Sequence, residues 1–437
     1  MSIELVSLAI PLLLLFLIAI GTPLAFATAA TGILVGLILY GDSTFFFVPF
    51  RMYALMNSYV LIAVPLFLLM GYMLERGGVA EQLFRVMHVW AGPIHGGLAI
   101  GTIIVGMLLA ALVGVIGAEI VTLGLVALPQ MLQRGYDKKL SYGVICAAGS
   151  LGQLIPPSVV LILYALMANV PVGQVFAAAL MPGAVLVFFY VLYVVVRCRL
   201  NPELGPLAPP EERSMPIKEK LALTKQLILP LAVAGAVLGS LYGGLATPTE
   251  AASVGVFGAF LAAFVNGRLN LSNILYAVKQ TSITIGMLIW IFFGANAVIS
   301  VYSRAGGISY LTELIGSLGL GPLGLVLLIM AILFVLGMFI DALGILVLTM
   351  PVFIPILANA GVDLVWFGII FSLNMQISYL TPPFGPAVFY LKGVTSPETT
   401  LGELFASVWP FVGLQAITLS LMVAFPDIVL WIPELIK

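Results

Sequence analysis

Two adjacent prolines inside a long uncharged stretch are the feature of this sequence with the clearest chemical consequence. The stretch runs from Trp366 to Leu391 and contains Pro382-Pro383, followed by Gly385 and Pro386. Because proline has no backbone N–H, a helix cannot continue through this point, and nearby carbonyl oxygens lose their partners. In hydrocarbon such a break persists only where protein, water or an ion covers it. The exposed carbonyls predict a cation site. The alternative is an ordinary proline kink, at which neighbouring helices satisfy the freed backbone groups.

The same break occurs a second time in the chain. Residues 152–158 read GQLIPPS, again inside an uncharged apolar run, and Pro156 and Pro382 are 226 positions apart. Spacings of 225 to 229 also relate Pro129 to Pro355, Gly135 to Gly361, Pro171 to Pro397, Thr22-Pro23 to Thr247-Pro248 and Gly77-Gly78 to Gly306-Gly307. The chain is therefore predicted to hold two copies of one unit. Repeated interrupted helices are typical of the ion and substrate sites of secondary transporters.

Two carboxylates in apolar segments are candidates for the same ion chemistry. Asp341 lies in GMFIDALG and Glu119 in GVIGAE, each near a turn between two short apolar helices. Ionisable groups within membrane segments are costly and are functional by default. Each carboxylate is interpreted either as a Na⁺ ligand beside freed carbonyls or as a cap of the following helix. Glu250 completes TPTE, which is a capping box, and we expect a structural role for it.

Seven polar side chains flank the two breaks. They are Ser150, Gln153 and Ser158 in the first copy and Asn374, Gln376, Ser378 and Thr381 in the second. Hydroxyls in membrane helices often bond back to their own helix, so a site role and a local role both stay open. As substrate contacts we predict Gln153, Ser158, Asn374, Ser378 and Thr381.

The composition excludes most other classes of protein. Hydrophobic residues make up 62% and charged residues 8% of the 437 residues, and the formal net charge is −1. Continuous apolar runs of about 20 residues favour an all-α polytopic protein in a lipid bilayer over a β-barrel. The charge balance predicts no nucleic-acid partner. The absence of a Walker A motif excludes ATP as the energy source within this chain, and no catalytic set or organic cofactor motif occurs.

Short apolar helices predict a re-entrant hairpin in each copy. Residues 97–114 and 119–133 span only about 27 and 22 Å as helices, less than the ~30 Å hydrocarbon core. The predicted first repeat is 1–200, with hairpin 97–133 and broken helix 140–167. A cytoplasmic linker follows at 201–225. The predicted second repeat is 226–437, with hairpin 323–359 and broken helix 364–391. We also expect a loop over 41–54, and an amphipathic helix at 270–280 separate from a span at 282–303.

Positive charges predict the orientation of the chain. Most lysines and arginines fall on one side if both hairpins are re-entrant, whereas the opposite loops, 41–50, 168–173, 243–248 and 356–363, contain none. The positive-inside rule then places both termini outside. Each copy has five full spans, an odd number, so the second copy is predicted to be inverted relative to the first.

Several motifs resemble one known family. They are PQMLQRGYDKKL (129–140), GQLIPPS (152–158), ATPTEAASVG (246–255), MFIDALGILVLTMPVFIP (338–355) and WFGIIFSLNMQISYLTPPFGPAVFYLKG (366–393). In these the chain resembles, over nearly its whole length, the DctM-like large membrane subunit of tripartite ATP-independent periplasmic (TRAP) transporters. The resemblance implies a Na⁺-coupled elevator in the bacterial inner membrane that imports a small organic acid. It also implies two partners, a small membrane subunit and a periplasmic substrate-binding protein.

The resemblance also implies where the Na⁺ ions bind, namely between each hairpin tip and the adjacent break. The first site is then Gly114, Gly117, Glu119, Ser150, Gly152, Ile155 and Pro156, and the second is Gly337, Asp341, Leu380, Thr381 and Gly385. Many members have a Ser/Gly-rich first tip, whereas GVIGAE has no hydroxyl, so the substrate stays open among C4-dicarboxylates, 2-oxo acids and lactate-like acids. A divalent-anion symporter that needs no binding protein is the alternative function, and an intramembrane enzyme would need a catalytic set that is not found.

Overall fold

The computed structural model describes residues 2–114, 116–209 and 215–436, and all regular elements in these ranges are helices. The first half contains α1 Ile3–Ala19, α2 Leu24–Tyr40, α3 Thr44–Met56, α4 Ala63–Arg76, α5 Val79–Ala91, α6 Gly97–Val113, α7 Ile116–Gln133, α8 Lys138–Ser150, α9 Val159–Ala168 and α10 Val172–Leu200. The second half contains α11 Ile217–Thr224, α12 Ile228–Tyr242, α13 Pro248–Val265, α14 Leu271–Arg304, α15 Gly307–Ser317, α16 Pro322–Gly337, α17 Ala342–Asn359, α18 Leu364–Leu380, α19 Pro386–Lys392, α20 Leu401–Ala424 and α21 Pro426–Leu435. Residues 210–214 of the predicted linker and residue 115 of the first hairpin tip lie outside the described ranges.

The helices have the length and composition of membrane spans. Within the described ranges, eight helical stretches are long and apolar enough to cross a bilayer. Helices suit that environment because they satisfy their own backbone hydrogen bonds. The all-α polytopic membrane fold predicted from the sequence is therefore confirmed.

Two local predictions are wrong. The segment expected to be a loop, 41–54, contains only a 3₁₀ turn at Gly41–Ser43 before α3 begins at Thr44. The amphipathic helix and the span expected as separate elements are one helix of 34 residues, α14. The polar residues Gln280, Thr281 and Ser282 change its surface but do not break it, because none of them removes a backbone hydrogen bond.

Both broken helices are interrupted at the prolines. In the first, α8 ends at Ser150, a 3₁₀ turn follows, and α9 starts at Val159, with eight residues between the two helices. In the second, α18 and α19 are separated by the segment 381–385. Each begins on an aspartate whose Oδ1 accepts a main-chain N–H at 2.8 Å, Asp137 for α8 and Asp363 for α18. These two caps are again 226 positions apart, so equivalent residues start equivalent helices.

The hairpins have short tips. The first joins α6 to α7 and includes Gly114, which has φ of +62°. The second joins α16 to α17 through residues 338–341. In both hairpins the two arms contact each other. Since α17 is itself long enough to cross a bilayer, the re-entrant path stays a prediction.

Contacts between the two halves occur in exchanged pairs. Helix α2 packs on α14, and α13, the counterpart of α2, packs on α4, the counterpart of α14. In the same way α8 contacts α20 while α18 contacts α10. Finally, α9 packs on α17 and α19 packs on α7, so the second part of each broken helix rests on the hairpin of the other half. This exchange brings both hairpins and both breaks into one region.

Candidate transport site

The tip of the first hairpin lies directly on the first break. A Cβ atom built on Gly114 would collide with the carbonyl oxygen of Pro157, and one built on Gly152 would collide with both carboxylate oxygens of Glu119. The absence of side chains at these two glycines therefore permits the contact. The predicted association of the first tip with the first break is present in the structure.

Glu119 is a buried carboxylate with little compensation for its charge. Its side chain is 1% exposed, and the main-chain N–H of Gly152 interacts with it without the geometry of a full hydrogen bond. It faces the backbone of Gly152, in the 3₁₀ turn Leu151–Gln153, and does not cap α7. A buried charge without compensation costs several kcal/mol, so this position favours a bound cation or proton. Of the two interpretations from the sequence, the ligand role fits better than the capping role.

The remaining predicted residues of the first site surround the same break. The ring of Tyr390 packs on Gly117. Ile155 is mostly buried and its side chain contacts Gly183 of α10, while Pro156 is buried in the turn. The hydroxyl of Ser150 donates to Ala147 O at 2.8 Å. The Ile155 side chain packs toward α10. Among the side chains of this set, the Ser150 hydroxyl and the Glu119 carboxylate therefore supply the polar atoms near the break.

The second hairpin tip also meets its own break. A Cβ atom built on Gly337 would collide with the Ser378 side chain. Asp341 caps α17, with Oδ2 accepting from the Leu343 N–H at 3.1 Å. The capping role is therefore present, with the main-chain N–H groups of Ala342 and Leu343 interacting with the carboxylate, and the carboxylate keeps further lone pairs that could accept from a ligand.

The predicted residues of the second break are placed as follows. Leu380 ends α18 and is fully buried, and Gly385, with φ of +39°, starts α19 under the Phe405 ring. Thr381 donates to Ile377 O at 2.7 Å and Ser378 donates to Met375 O at 3.0 Å. These hydroxyls thus bond back to their own helix, and their oxygen lone pairs remain as acceptors.

The other predicted substrate residues are buried between helices. Ser158 donates to Gln153 O at 2.9 Å, and Asn374 donates to Met330 O at 2.9 Å. The Gln153 side chain is 0% exposed, and both its amide atoms lack a hydrogen-bond partner in the described residues. Gln153 is therefore a better candidate for a ligand than Asn374, whose amide is occupied by the second hairpin.

Two tyrosines lie near both tips. Tyr379 is close enough to Asp341 and Glu119 to feel both charges, and its hydroxyl interacts with that of Tyr390. Tyr390 in turn covers Gly117 of the first tip. No sequence pattern singled these residues out, since tyrosines in an apolar run look like packing residues. One signal was present, because Tyr390 lies 226 positions after Tyr164 and so occupies a repeated position.

The family is decided by a match that covers almost the entire chain. Residues 12–428 match the family described as the DctM component of the tripartite ATP-independent periplasmic transporter. This chain belongs to that family. The resemblance inferred from the motifs is therefore confirmed, and as a large permease component the chain is a transporter subunit and not an enzyme. The other parts of such a transporter are a small membrane subunit and a periplasmic binding protein.

Curated relatives agree with this assignment, and a solved transporter structure is similar in fold. The chain is 30% identical to the C4-dicarboxylate TRAP transporter large permease protein DctM of Vibrio cholerae, over 97% of each chain. It is 29% identical to the ectoine TRAP transporter large permease protein TeaC of Halomonas elongata, over 86% of each chain. Its fold is similar to the YdaH transporter of Alcanivorax borkumensis, with a TM-score of 0.58 at 18% identity, covering 85% of this chain and 88% of that one.

In this DctM-family permease the two broken helices are joined by side-chain amides. Gln376 Nε2 donates to Ser150 Oγ at 3.1 Å, and Gln415 Nε2, from α20, donates to the same oxygen at 3.3 Å. Ser150 and Gln376 are 226 positions apart, so equivalent positions of the two copies touch. The hydroxyl of Ser372 also reaches across, donating to Gln153 O at 2.8 Å. One carbonyl at the first break is therefore covered by a hydroxyl from the second broken helix.

Proposed function

We propose that this permease is the large subunit of a Na⁺-coupled TRAP importer for a small organic acid. The observation that carries the proposal is the buried Glu119 carboxylate above the 3₁₀ turn of the first break, which faces the Gly152 main chain and has no full hydrogen bond from the described residues. A site of this kind favours a bound cation or a proton, and Na⁺ is a hard cation that prefers oxygen ligands. ATP is not required, because the family is ATP-independent.

Two Na⁺ sites are proposed, one at each tip. In the first, Glu119 supplies charge and the backbone of Gly114, Gly152 and Pro156 supplies carbonyl oxygens. In the second, the Asp341 carboxylate supplies charge beside Thr381. The remaining members are Gly117, Ser150 and Ile155 in the first site and Gly337, Leu380 and Gly385 in the second. Glycines at the two tips support this assignment, since a Cβ on Gly114 would collide with Pro157 O and one on Gly337 with the Ser378 side chain.

The organic acid is proposed to bind between the two ion sites. The Tyr379 hydroxyl, which interacts with that of Tyr390, is within electrostatic range of both Asp341 and Glu119. Hydroxyls donate hydrogen bonds to a carboxylate, and Na⁺ on both carboxylates would remove their repulsion of an anionic substrate. Substrate affinity would then depend on Na⁺, which is the basis of the coupling. Gln153, with its unpartnered amide, would supply a further polar contact.

The mechanism is proposed to be an elevator in the bacterial inner membrane with both termini periplasmic. The hairpins α6–α7 and α16–α17 and the broken helices would form the moving body, and the other helices the scaffold. The exchanged contacts between the halves support this division, because both breaks and both tips belong to one packed region. The periplasmic binding protein would deliver substrate at the outer face.

Reconstitution tests the proposal. The permease is inserted into liposomes with its small subunit, and uptake of candidate carboxylates is measured with the cognate binding protein present or absent. We expect uptake that requires both the binding protein and a Na⁺ gradient. Unchanged uptake with choline in place of Na⁺ would refute Na⁺ coupling. Equal uptake without the binding protein would instead favour the stand-alone divalent-anion symporter.

A further inference from the structure

Two cavities meet beside the first hairpin tip. A cavity of about 330 Å³ opens between α4, α5, α7 and the segment that joins α13 to α14. A smaller cavity, of about 10 Å³, reaches Glu119. Both are lined by Glu75, Ala80 and Thr122. The two cavities are therefore adjacent: the smaller reaches Glu119, and the larger reaches the half-exposed Glu81–Arg268 ion pair, whose N–O distance is 2.7 Å.

The small cavity is lined by two carboxylates and a hydroxyl. Glu75 Oε2 and both oxygens of Glu119 are buried and have no hydrogen-bond partner among the described residues. No lysine, arginine or histidine of the described chain lines this cavity, and the positive charge that acts on Glu75 is its sequence neighbour Arg76, which lines the larger cavity. Two carboxylates that line one buried space are costly to keep charged unless a proton or metal ion compensates them. The volume is about that of one water molecule, which matches a small cation and excludes an organic substrate.

The walls of the small cavity come from two different parts of the fold. Glu75 lies in the last turn of α4, in a helix that the proposed mechanism assigns to the scaffold. Glu119 and Thr122 lie on α7, the second arm of the hairpin, which the mechanism assigns to the moving body. A cation held between Glu75 and Glu119 would bridge the scaffold and the hairpin. It would do so only in the conformation described here, because movement of the hairpin would separate the two carboxylates.

We propose that Glu75 and Glu119 form a second binding station for Na⁺, on the path by which the ion leaves the first site. The inference rests on the proposed Na⁺ coupling and adds a residue to it that belongs to neither tip nor break. The station lies toward the side on which Arg76, Arg268 and the other basic residues predict the cytoplasm. Na⁺ leaving Glu119 passes Glu75 and then enters the larger cavity.

A side-specific transport assay tests this station. The complex of this permease with its small subunit is reconstituted, and uptake is measured while Na⁺ is varied separately outside and inside the liposomes. In Glu75→Gln we expect the internal Na⁺ concentration that halves uptake to rise about tenfold. The reason is that removing one group that supports a metal ion usually weakens metal affinity by about this factor. The external Na⁺ concentration for half-maximal uptake should stay within twofold of wild type.

Matched variants identify the cause. Glu81→Gln removes a carboxylate from the larger cavity only, and we expect it to leave both Na⁺ dependences unchanged. Glu75→Asp should restore most of the internal affinity, and Thr122→Val, which leaves the charge intact, should shift it in the same direction as Glu75→Gln but less. Any of three results would overturn the proposal. The first is an equal shift of the internal and external Na⁺ dependences in Glu75→Gln, and the second is an unchanged internal Na⁺ dependence in both Glu75→Gln and Thr122→Val. The third is the same shift of the internal Na⁺ dependence in Glu81→Gln as in Glu75→Gln. Wild-type uptake that ignores Na⁺ altogether would instead refute the proposed coupling.

Discussion

Replacing Gly114 by alanine is the sharpest test of the contact between the first tip and the first break. Gly114 has φ of +62°, and a Cβ there would collide with the backbone carbonyl of Pro157. Gly135, between α7 and α8, has φ of +75° but has nothing within 4 Å of the added atom. The two substitutions therefore share the conformational penalty, about 1 kcal/mol, and differ in the steric one.

The steric difference sets the expected magnitude. Overpacking against a fixed backbone costs about 1–3 kcal/mol. Because the tip must move away from the break to relieve it, this free energy is lost from Na⁺ binding, which corresponds to roughly 5- to 150-fold weaker affinity. Gly135→Ala should bind Na⁺ like wild type and melt only slightly earlier.

The assay is Na⁺-dependent uptake in liposomes together with thermal unfolding of the purified complex. Gly114→Ala should raise the Na⁺ concentration for half-maximal uptake while the complex still assembles and melts cooperatively. Equal Na⁺ dependence in Gly114→Ala and Gly135→Ala would show that the tip does not need to touch the break for ion binding, and the site as described would be wrong.

Three further substitutions follow from the same geometry. Asp341→Ala should abolish Na⁺-dependent uptake and cost about 1 kcal/mol through the lost cap of α17; wild-type transport by this variant would remove Asp341 from the site. Ser150→Ala leaves the Gln376 and Gln415 amides without their acceptor and should cost about 1–3 kcal/mol in unfolding, measured as a lower melting temperature; an unchanged melt would mean that the amides find other partners. Glu250→Ala removes only the exposed capping box of α13, so we expect about 1 kcal/mol less stability and unchanged Na⁺ affinity, and a change in affinity would contradict the structural role.

The elements that depend on local backbone chemistry were predictable from the sequence. The broken helices were expected at 140–167 and 364–391, and their two parts together cover 138–168 and 364–392. Two adjacent prolines remove two neighbouring N–H donors at each break, and an aspartate caps the start of each of these helices, so local residues determine where they begin and where they break. Single prolines such as Pro182 and Pro410 remain inside α10 and α20. The 226-residue spacing then located equivalent parts of the two halves.

Side-chain partners could not be predicted in the same way. Tyr379, Tyr390, Gln415 and Glu75 become neighbours of the site only through packing between distant helices, and no spacing rule reports which face of an apolar helix meets another. The continuous helix α14 was missed for a related reason. Polar residues at 280–282 suggested a boundary, but polarity on a helix surface does not interrupt its backbone.

The bond between Ser150 and Gln376 has a consequence for how the two ion sites operate. Any sliding of one broken helix past the other would break this buried hydrogen bond and leave an amide unpaired, at a cost of about 1–3 kcal/mol. The two interrupted helices are therefore expected to travel together. Ions at opposite ends of the pair would change sides of the membrane at the same moment, which prevents one of them from leaking across while the other stays behind.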